Sequence, residues 1–266
     1  MTAVARLLEV ENLEVVYHRA ITAVQGVSFS VNENAITALV GTNGAGKTTT
    51  LTAISGFMRV EDAKITEGEI RFCGERVNRR YTDQISRLGI AHVPERDKIF
   101  PTLTVRENLI ACRTCTKADD FDIADAFELF PRLAERASSV SGYLSGGERQ
   151  MLAIALALVT QPRLVLIDEM TLGLAPTVIN ILVEAVRKLR RERGLTFLIV
   201  EQNAMTALDI ADYTYVMENG RIVFDGDSDR LRSHDDFREF YLGFGMKGEK
   251  SFQDVKQYRR KRRWFG

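Results

Sequence analysis

Three cysteines, five prolines, three histidines and one tryptophan are all that 266 residues contain of these types. The cysteines, Cys73, Cys112 and Cys115, are odd in number and sparse, which excludes a disulfide scaffold and suits a reducing cytosol. Cys112 and Cys115 form a CxxC, but no second Cys/His pair follows at zinc-like spacing, and this favours incidental thiols over a redox or metal pair. No Pro- or Ser-rich linker and no internal repeat divide the chain. Long apolar runs are missing too. The longest, Met151 to Val159, is about half of the ~18 residues a membrane span requires. The first 17 residues lack the apolar stretch of a secretory signal. Net charge is also absent, with 36 Lys+Arg against 36 Asp+Glu. That balance hides an asymmetry. From Met246 on there are eight basic residues and two acids, leaving 28 basic and 34 acidic upstream, a body near −6 with a basic tail.

What remains is ordinary globular composition, 45% hydrophobic and 27% charged, and enough chain for a real core without staples. Residues 7–17 and 23–31 alternate as strands do. Short apolar runs at 35–40, 90–93, 163–167 and 195–200 read as buried strands. Residues 68–72 read as a further strand, and 213–217 with 221–224 as a hairpin turned by Asn219-Gly220. Helices are expected from Lys47, over 177–193, and through a mostly helical stretch from about Thr102 to Val159, where one helix is stopped by Pro131 and another starts at Leu144-Ser145-Gly146-Gly147-Glu148. Strands alternating with helices predict an α/β fold with a mainly parallel sheet, and the helical stretch reads as an insertion into it.

Three motifs carry chemistry. Gly41-Thr42-Asn43-Gly44-Ala45-Gly46-Lys47-Thr48 matches GxxxxGKS/T between a predicted strand and a predicted helix. Backbone N–H groups of such a loop curl round phosphate oxygens, and the following helix aims its positive end at the same anion. Lys47 is placed to reach the β- and γ-phosphates of ATP, Thr48 to hold Mg²⁺, and Thr49 to complete the cradle. The second motif, Leu164-Val165-Leu166-Ile167-Asp168-Glu169, delivers two carboxylates to one sheet edge. Asp168 suits Mg²⁺, and Glu169 suits the polarisation of an attacking water. The third is Leu144-Ser145-Gly146-Gly147-Glu148-Arg149-Gln150, a glycine-rich helix start that is fit for a γ-phosphate. Its bland alternative is a helix N-cap at Ser145, and both can hold for one residue.

The third motif resembles the LSGGQ signature of ABC ATPases, and the resemblance covers about residues 6–243. It is closest to the second ATPase of branched-chain amino-acid importers and of the related urea and amide importers. The carrying residues are VPERDKIFPTLTVRENL at 93–109, MTLGLAP at 170–176 and VEQN at 200–203. The resemblance implies a P-loop NTPase (RecA-like) core with an antiparallel β subdomain and an inserted helical subdomain at about 96–158. It implies a single domain over 1–246, followed by the basic tail 247–266. It further implies that Ser145, Gly146 and Gly147 meet the nucleotide held by a partner ATPase, in a head-to-tail dimer with two ATPs, and that Tyr17 stacks on adenine.

Implied partners are transmembrane permease subunits, a second ABC ATPase or this chain itself, and indirectly a periplasmic or extracellular solute-binding protein. The implied place is the cytoplasm, peripheral on the inner face of the cell membrane. The implied function is the powering of uptake of branched-chain amino acids or a related small polar or organic solute. An export-type or non-transport ABC ATPase, and a catalytically weak ATP-binding subunit in a heterodimer, are the alternatives.

Four positions depart from the general ABC pattern. Glu95 takes the Q-loop glutamine position, Gln202 the switch-histidine position, Ala175 the D-loop aspartate position, and Met170 follows the catalytic glutamate in place of proline. Gln202 can donate a hydrogen bond to a γ-phosphate but cannot carry a proton at neutral pH. Glu95 is either a Mg²⁺ ligand or a charge that raises the cost of binding ATP. Arg96-Asp97 stands where Gly-Arg is expected, which leaves the transported solute open. Phe100 and Leu103 are candidate contacts for a coupling helix of the membrane subunit, with a place in the core of the insert as the alternative. The tail offers three readings: a solvated terminus, contact with anionic lipid headgroups aided by Trp264, and nucleic-acid binding. The acidic body argues against the last, so no nucleic-acid partner is expected.

Overall fold

The computed structural model describes residues 5–59, 61–96, 99–113 and 121–233. The basic tail, Trp264, Cys115 and Asp97 lie outside the described residues.

Two sheets are stacked. In the first, β1 (Arg6–Tyr17) and β2 (Ile21–Asn32) form a hairpin, and β1 also pairs antiparallel with β4 (Ala63–Phe72), which carries the two-residue β5 (Glu75–Arg76). The order is β2-β1-β4-β5. In the second sheet β3 (Ile36–Val40), β6 (Ile90–Val93), β7 (Leu164–Asp168), β8 (Thr196–Glu201), β9 (Tyr213–Glu218) and β10 (Arg221–Asp227) lie in the order β10-β9-β3-β8-β7-β6. Only the β9–β10 hairpin is antiparallel; the other pairings run parallel.

The apolar runs are continuous because these central strands are buried on both faces. Successive side chains alternate between two cores. Leu39, Leu164, Leu166, Leu198 and Val200 face the antiparallel sheet, where they join Leu8, Val15, Leu51 and Phe72. Val40, Val165, Ile167, Phe197 and Ile199 face the other way, into a core shared with helices. The sheet is therefore the middle layer of the molecule.

The helices are α1 (Lys47–Ser55), α2 (Thr82–Arg87), α3 (Val105–Arg113), α4 (Ile123–Leu129), α5 (Pro131–Glu135), α6 (Gly146–Leu158), α7 (Pro176–Arg193), α8 (Ala204–Ile210) and α9 (Ser228–Ser233). The crossover between the neighbouring strands β6 and β7 carries α3 to α6, so the helical stretch enters and leaves the sheet at adjacent strands. α4 stops just before Pro131, as expected, and the proline also begins a helix that was not expected. It opens α5 at that helix's first position, where a missing N–H costs nothing. The short helices α2, α5, α8 and α9 are not legible in the sequence, each having five to seven residues and little periodic signal of its own. Phe100 is 53% exposed, which excludes it from the insert core, and Leu103 is half-buried. No helix among the described residues is long and apolar enough to cross a membrane.

Candidate nucleotide site

The strands β3, β7 and β8 are adjacent and parallel, so their carboxyl ends share one edge of the sheet. That edge is where α/β folds bind ligands. It receives the P-loop from β3, Asp168-Glu169 from β7 and Glu201-Gln202 from β8.

The loop from Gly41 to Gly46 is shaped by close backbone contact. A Cβ at Gly41 would stand 2.2 Å from the Met217 carbonyl oxygen, and one at Gly46 (φ 99°) 2.6 Å from the Ala23 carbonyl oxygen. The Asn219-Gly220 turn buttresses it, with the Gly220 N–H donating to the Ala45 carbonyl at 3.0 Å. Asn43 and Gly44 are exposed on the outer side of the loop, and Ala45 is buried. α1 has no side-chain cap, so its first N–H groups remain available to an anion.

Lys47 is buried. Its Nζ donates to the carbonyl oxygens of Gly41 (2.9 Å) and Thr42 (3.1 Å) and lies 3.9 Å from Glu169 Oε1. Burial pulls its pKa below the ordinary lysine value, opposed by the charges of Glu169, Asp168 and Glu201. Asp168 is buried, and burial raises its pKa to about 6; a Thr48 side-chain hydrogen bond acts against this, while Glu169 and Glu95 add to it. Its Oδ1 has no hydrogen-bond partner. A buried, unpartnered carboxylate oxygen beside the Thr48 hydroxyl fits a hard divalent cation. No group of three or more His, Cys, Asp or Glu suited to a metal occurs among the described residues, and Mg²⁺ held by one carboxylate, one hydroxyl and substrate phosphates needs none.

Glu169 adopts a left-handed backbone (φ 50°), and its N–H donates to the Val200 carbonyl at 2.9 Å. Glu95 is partly buried, bonds with Arg96, and reaches Asp168 only through its charge. Gln202 is exposed next to Glu201. Tyr17 is tied to the P-loop helix, its hydroxyl 3.3 Å from Thr49 Oγ1 and donating to Glu61 Oε2 at 3.0 Å. Burial raises its pKa, Thr49 lowers it and Glu61 raises it further.

Ser145 and Gly146 are exposed at the start of α6, and the hydroxyl of Ser145 exchanges hydrogen bonds with Glu148 in a capping box. No hydrogen bond or ion pair among the described residues joins Ser145, Gly146 or Gly147 to the P-loop group. Gly147 is buried, where a Cβ would stand 2.7 Å from Val178. Lys47, Thr48, Asp168 and Glu169 thus come together with Glu95 at their edge, and the signature stands apart on a surface.

The chain's matches agree with this layout. The profile described as "ABC transporter" matches residues 24–172, more than half of the chain. The chain belongs to the ABC transporter family. This cassette is 43% identical over 229 residues to the high-affinity branched-chain amino acid transport ATP-binding protein BraG of Pseudomonas aeruginosa, covering 85% of this chain and 96% of that one. It is 39% identical to the probable branched-chain amino acid transport ATP-binding protein LivF of Archaeoglobus fulgidus, covering 82% and 91%. To BraF, a second branched-chain amino acid transport ATP-binding protein of Pseudomonas aeruginosa, it is 29% identical. The crystal structure of an ATP-binding cassette of an ABC transporter in its ADP conformation superposes with a TM-score of 0.76 at 28% identity, covering 90% of this chain and 99% of that one.

Two groups in the cassette's site are not predicted from the sequence. Glu201 is buried, and its two carboxylate oxygens accept from the N–H (3.1 Å) and the hydroxyl (2.9 Å) of Thr171. Glu61 holds the Tyr17 hydroxyl. A charged residue closing the otherwise apolar run of β8 is the one sequence signal for Glu201; Glu61 gives none.

Proposed function

We propose that this cassette is the ATP-hydrolysing subunit of an ABC importer that takes up branched-chain amino acids or a related small polar or organic solute through separate membrane subunits. The hydrolytic reading is carried by the meeting of Lys47, Thr48, Asp168 and Glu169 at one sheet edge. The importer and solute class rest on the likeness to BraG and LivF.

In this reading the N–H groups of Gly41, Asn43, Gly44, Ala45, Gly46, Lys47, Thr48 and Thr49 cradle the phosphates, and Lys47 turns from its loop carbonyls to the β- and γ-phosphate oxygens. The Thr48 hydroxyl and the Asp168 carboxylate hold Mg²⁺, with Glu95 at the margin of that site. When bound, Mg²⁺ neutralises charge that develops on the transferred phosphoryl group. Glu169 orients the attacking water and accepts its proton. Gln202 donates to the γ-phosphate. The Tyr17 ring supplies a flat face for adenine, and Thr49 and Glu61 fix its edge.

One chain carries one P-loop and one signature. The exposed Ser145, Gly146 and Leu172 (55% exposed) are surfaces on which a second cassette would close. The chain stands nearer to BraG than to BraF, and the names of both place them in branched-chain amino acid transport, which favours a BraF-like second cassette over self-pairing. The exposed Phe100 suits a coupling helix of the permease. The domain over 1–246, the location on the inner membrane face, and lipid contact by the 247–266 tail belong to the same proposal.

The test is steady-state MgATP hydrolysis over a wide range of protein concentration, alone and with the second cassette of its own importer, with Glu169→Gln as control. A rate per chain that rises with the second cassette and vanishes in the control supports the reading. A wild-type rate that stays at the control level in every mixture refutes it.

A further inference from the structure

At the end of β7 the chain leaves the sheet in a tight turn that carries Glu169. Main-chain pairing with β8 runs to Asp168 opposite Val200 and closes with the Glu169 N–H on the Val200 carbonyl at 2.9 Å. Beyond it the main chains part, and a side chain takes over. Glu201 Oε1 accepts from the Thr171 N–H at 3.1 Å and Oε2 from the Thr171 hydroxyl at 2.9 Å. Glu169 is thus pinned on both sides, by its own N–H before the turn and by Thr171 after it. Its left-handed backbone (φ 50°) needs such pinning, since a non-glycine residue keeps that conformation only where its surroundings over-determine it. Met170, between the two anchors, is wholly buried. After Thr171 the chain emerges at once into the exposed segment Leu172-Gly173 (φ 70°).

We propose that Glu201 is a positioning residue for hydrolysis: by gripping Thr171 it fixes the turn that aims the Glu169 carboxylate and the Leu172–Ala175 loop that follows. This rests on the reading of Glu169 as the base. It adds to that reading an acidic residue directly before the switch position, one whose bonds run to Thr171. A carboxylate suits the task because it offers two acceptors to two donors of one residue. The charged groups coupled to it are Glu169 after β7 and Lys47 on α1. Its donors on Thr171 are neutral, and an amide of the same shape keeps the grip with its oxygen on the Thr171 N–H, while the Thr171 hydroxyl turns to accept from the amide NH2.

The experiment compares Glu201→Ala, Glu201→Gln and Thr171→Val in the full chain, under the pairing conditions in which wild type hydrolyses ATP. Nucleotide affinity is measured on the same samples with a fluorescent ATP analogue, which also reports folding. The expected result for Glu201→Ala is a fall in kcat of about 10- to 100-fold, the scale of a misplaced catalytic group, with affinity within about threefold of wild type. Glu201→Gln recovers most of that loss. Thr171→Val, which keeps the N–H anchor, falls between.

Wild-type turnover in Glu201→Ala overturns the proposal. So does a loss of affinity as large as the loss of kcat, or a Gln variant no better than Ala, since each marks a merely structural or a charge role. Glu169→Gln separates the two claims. If it is inactive while Glu201→Ala is fully active, only the positioning role fails. If it is active, the assignment of the base fails.

Discussion

Lys47 Nζ stands 3.9 Å from Glu169 Oε1, both side chains nearly buried, while the same ammonium donates to the Gly41 and Thr42 carbonyls. The lysine proposed to hold phosphate is thus held by its own loop and by Glu169, the proposed base. In the proposed reading a phosphate displaces these contacts, and the lysine exchanges its bonds with the loop and with Glu169 for bonds with the nucleotide.

Replacing Lys47 by Ala removes the ammonium that donates to the loop carbonyls and that is proposed to turn to the phosphates. A charge-assisted contact of this kind is worth about 1.5–3 kcal/mol. MgATP affinity should therefore fall by at least about tenfold. Equilibrium titration with a fluorescent nucleotide measures it, and an unchanged Kd contradicts the role.

The buried carboxyl of Glu201 gives stability a pH signature. Burial raises its pKa to about 7, with Thr171 opposing and Glu169 adding to the rise. A carboxyl raised in the folded state contributes stability that is complete below its unfolded value and is lost as pH rises through the folded one. The stability that Glu201 contributes is therefore lost as pH rises from about 4.5 to 7 and stays lost above that, by a few kcal/mol at most. Glu201→Gln should melt higher than wild type at pH 8, with the difference vanishing near pH 4.5. Thermal unfolding at the two pH values decides it.

The Tyr17 hydroxyl has partners but the ring has the proposed task. Tyr17→Phe keeps the ring and should bind ATP within about threefold of wild type, while Tyr17→Ala loses base stacking worth about 1–3 kcal/mol and should bind about tenfold or more weakly. Parallel titrations of the two variants suffice. Equal loss in both would move the role from the ring to the hydroxyl and its Thr49 and Glu61 partners.

Two glycines of the P-loop differ in what an alanine would meet. At Gly46 (φ 99°) the new Cβ would lie 2.6 Å from the Ala23 carbonyl oxygen and 2.7 Å from Met217 Cε. At Gly44 (φ 80°) nothing lies within 4 Å. Gly44→Ala carries backbone strain of about 1–3 kcal/mol, and Gly46→Ala adds steric clash to the same strain. The Gly46 variant should melt several degrees below the Gly44 variant in differential scanning calorimetry; the reverse order contradicts the packing described.

The sequence by itself determined the elements that local chemistry dictates. The strands β3, β7 and β8 are legible because burial on both faces leaves unbroken apolar runs, and the P-loop because only glycines tolerate the approach of Met217 and Ala23. The Ser145–Glu148 box announces α6 because both partners lie within one turn. Tertiary structure alone decided what depends on residues far apart. Glu201 becomes a partner of Thr171 only because β8 lies beside β7, and a lone acid at a strand end does not announce what it will grip. Glu61 reaches Tyr17 only because β4 pairs with β1. The short helices α2, α8 and α9 form where the sheet supports them, since fewer than eight residues hold no helix through their own propensity. Motif spacing encodes the groups proposed to touch the nucleotide, while the pairing of distant strands places Glu201 and Glu61 against the residues they bond.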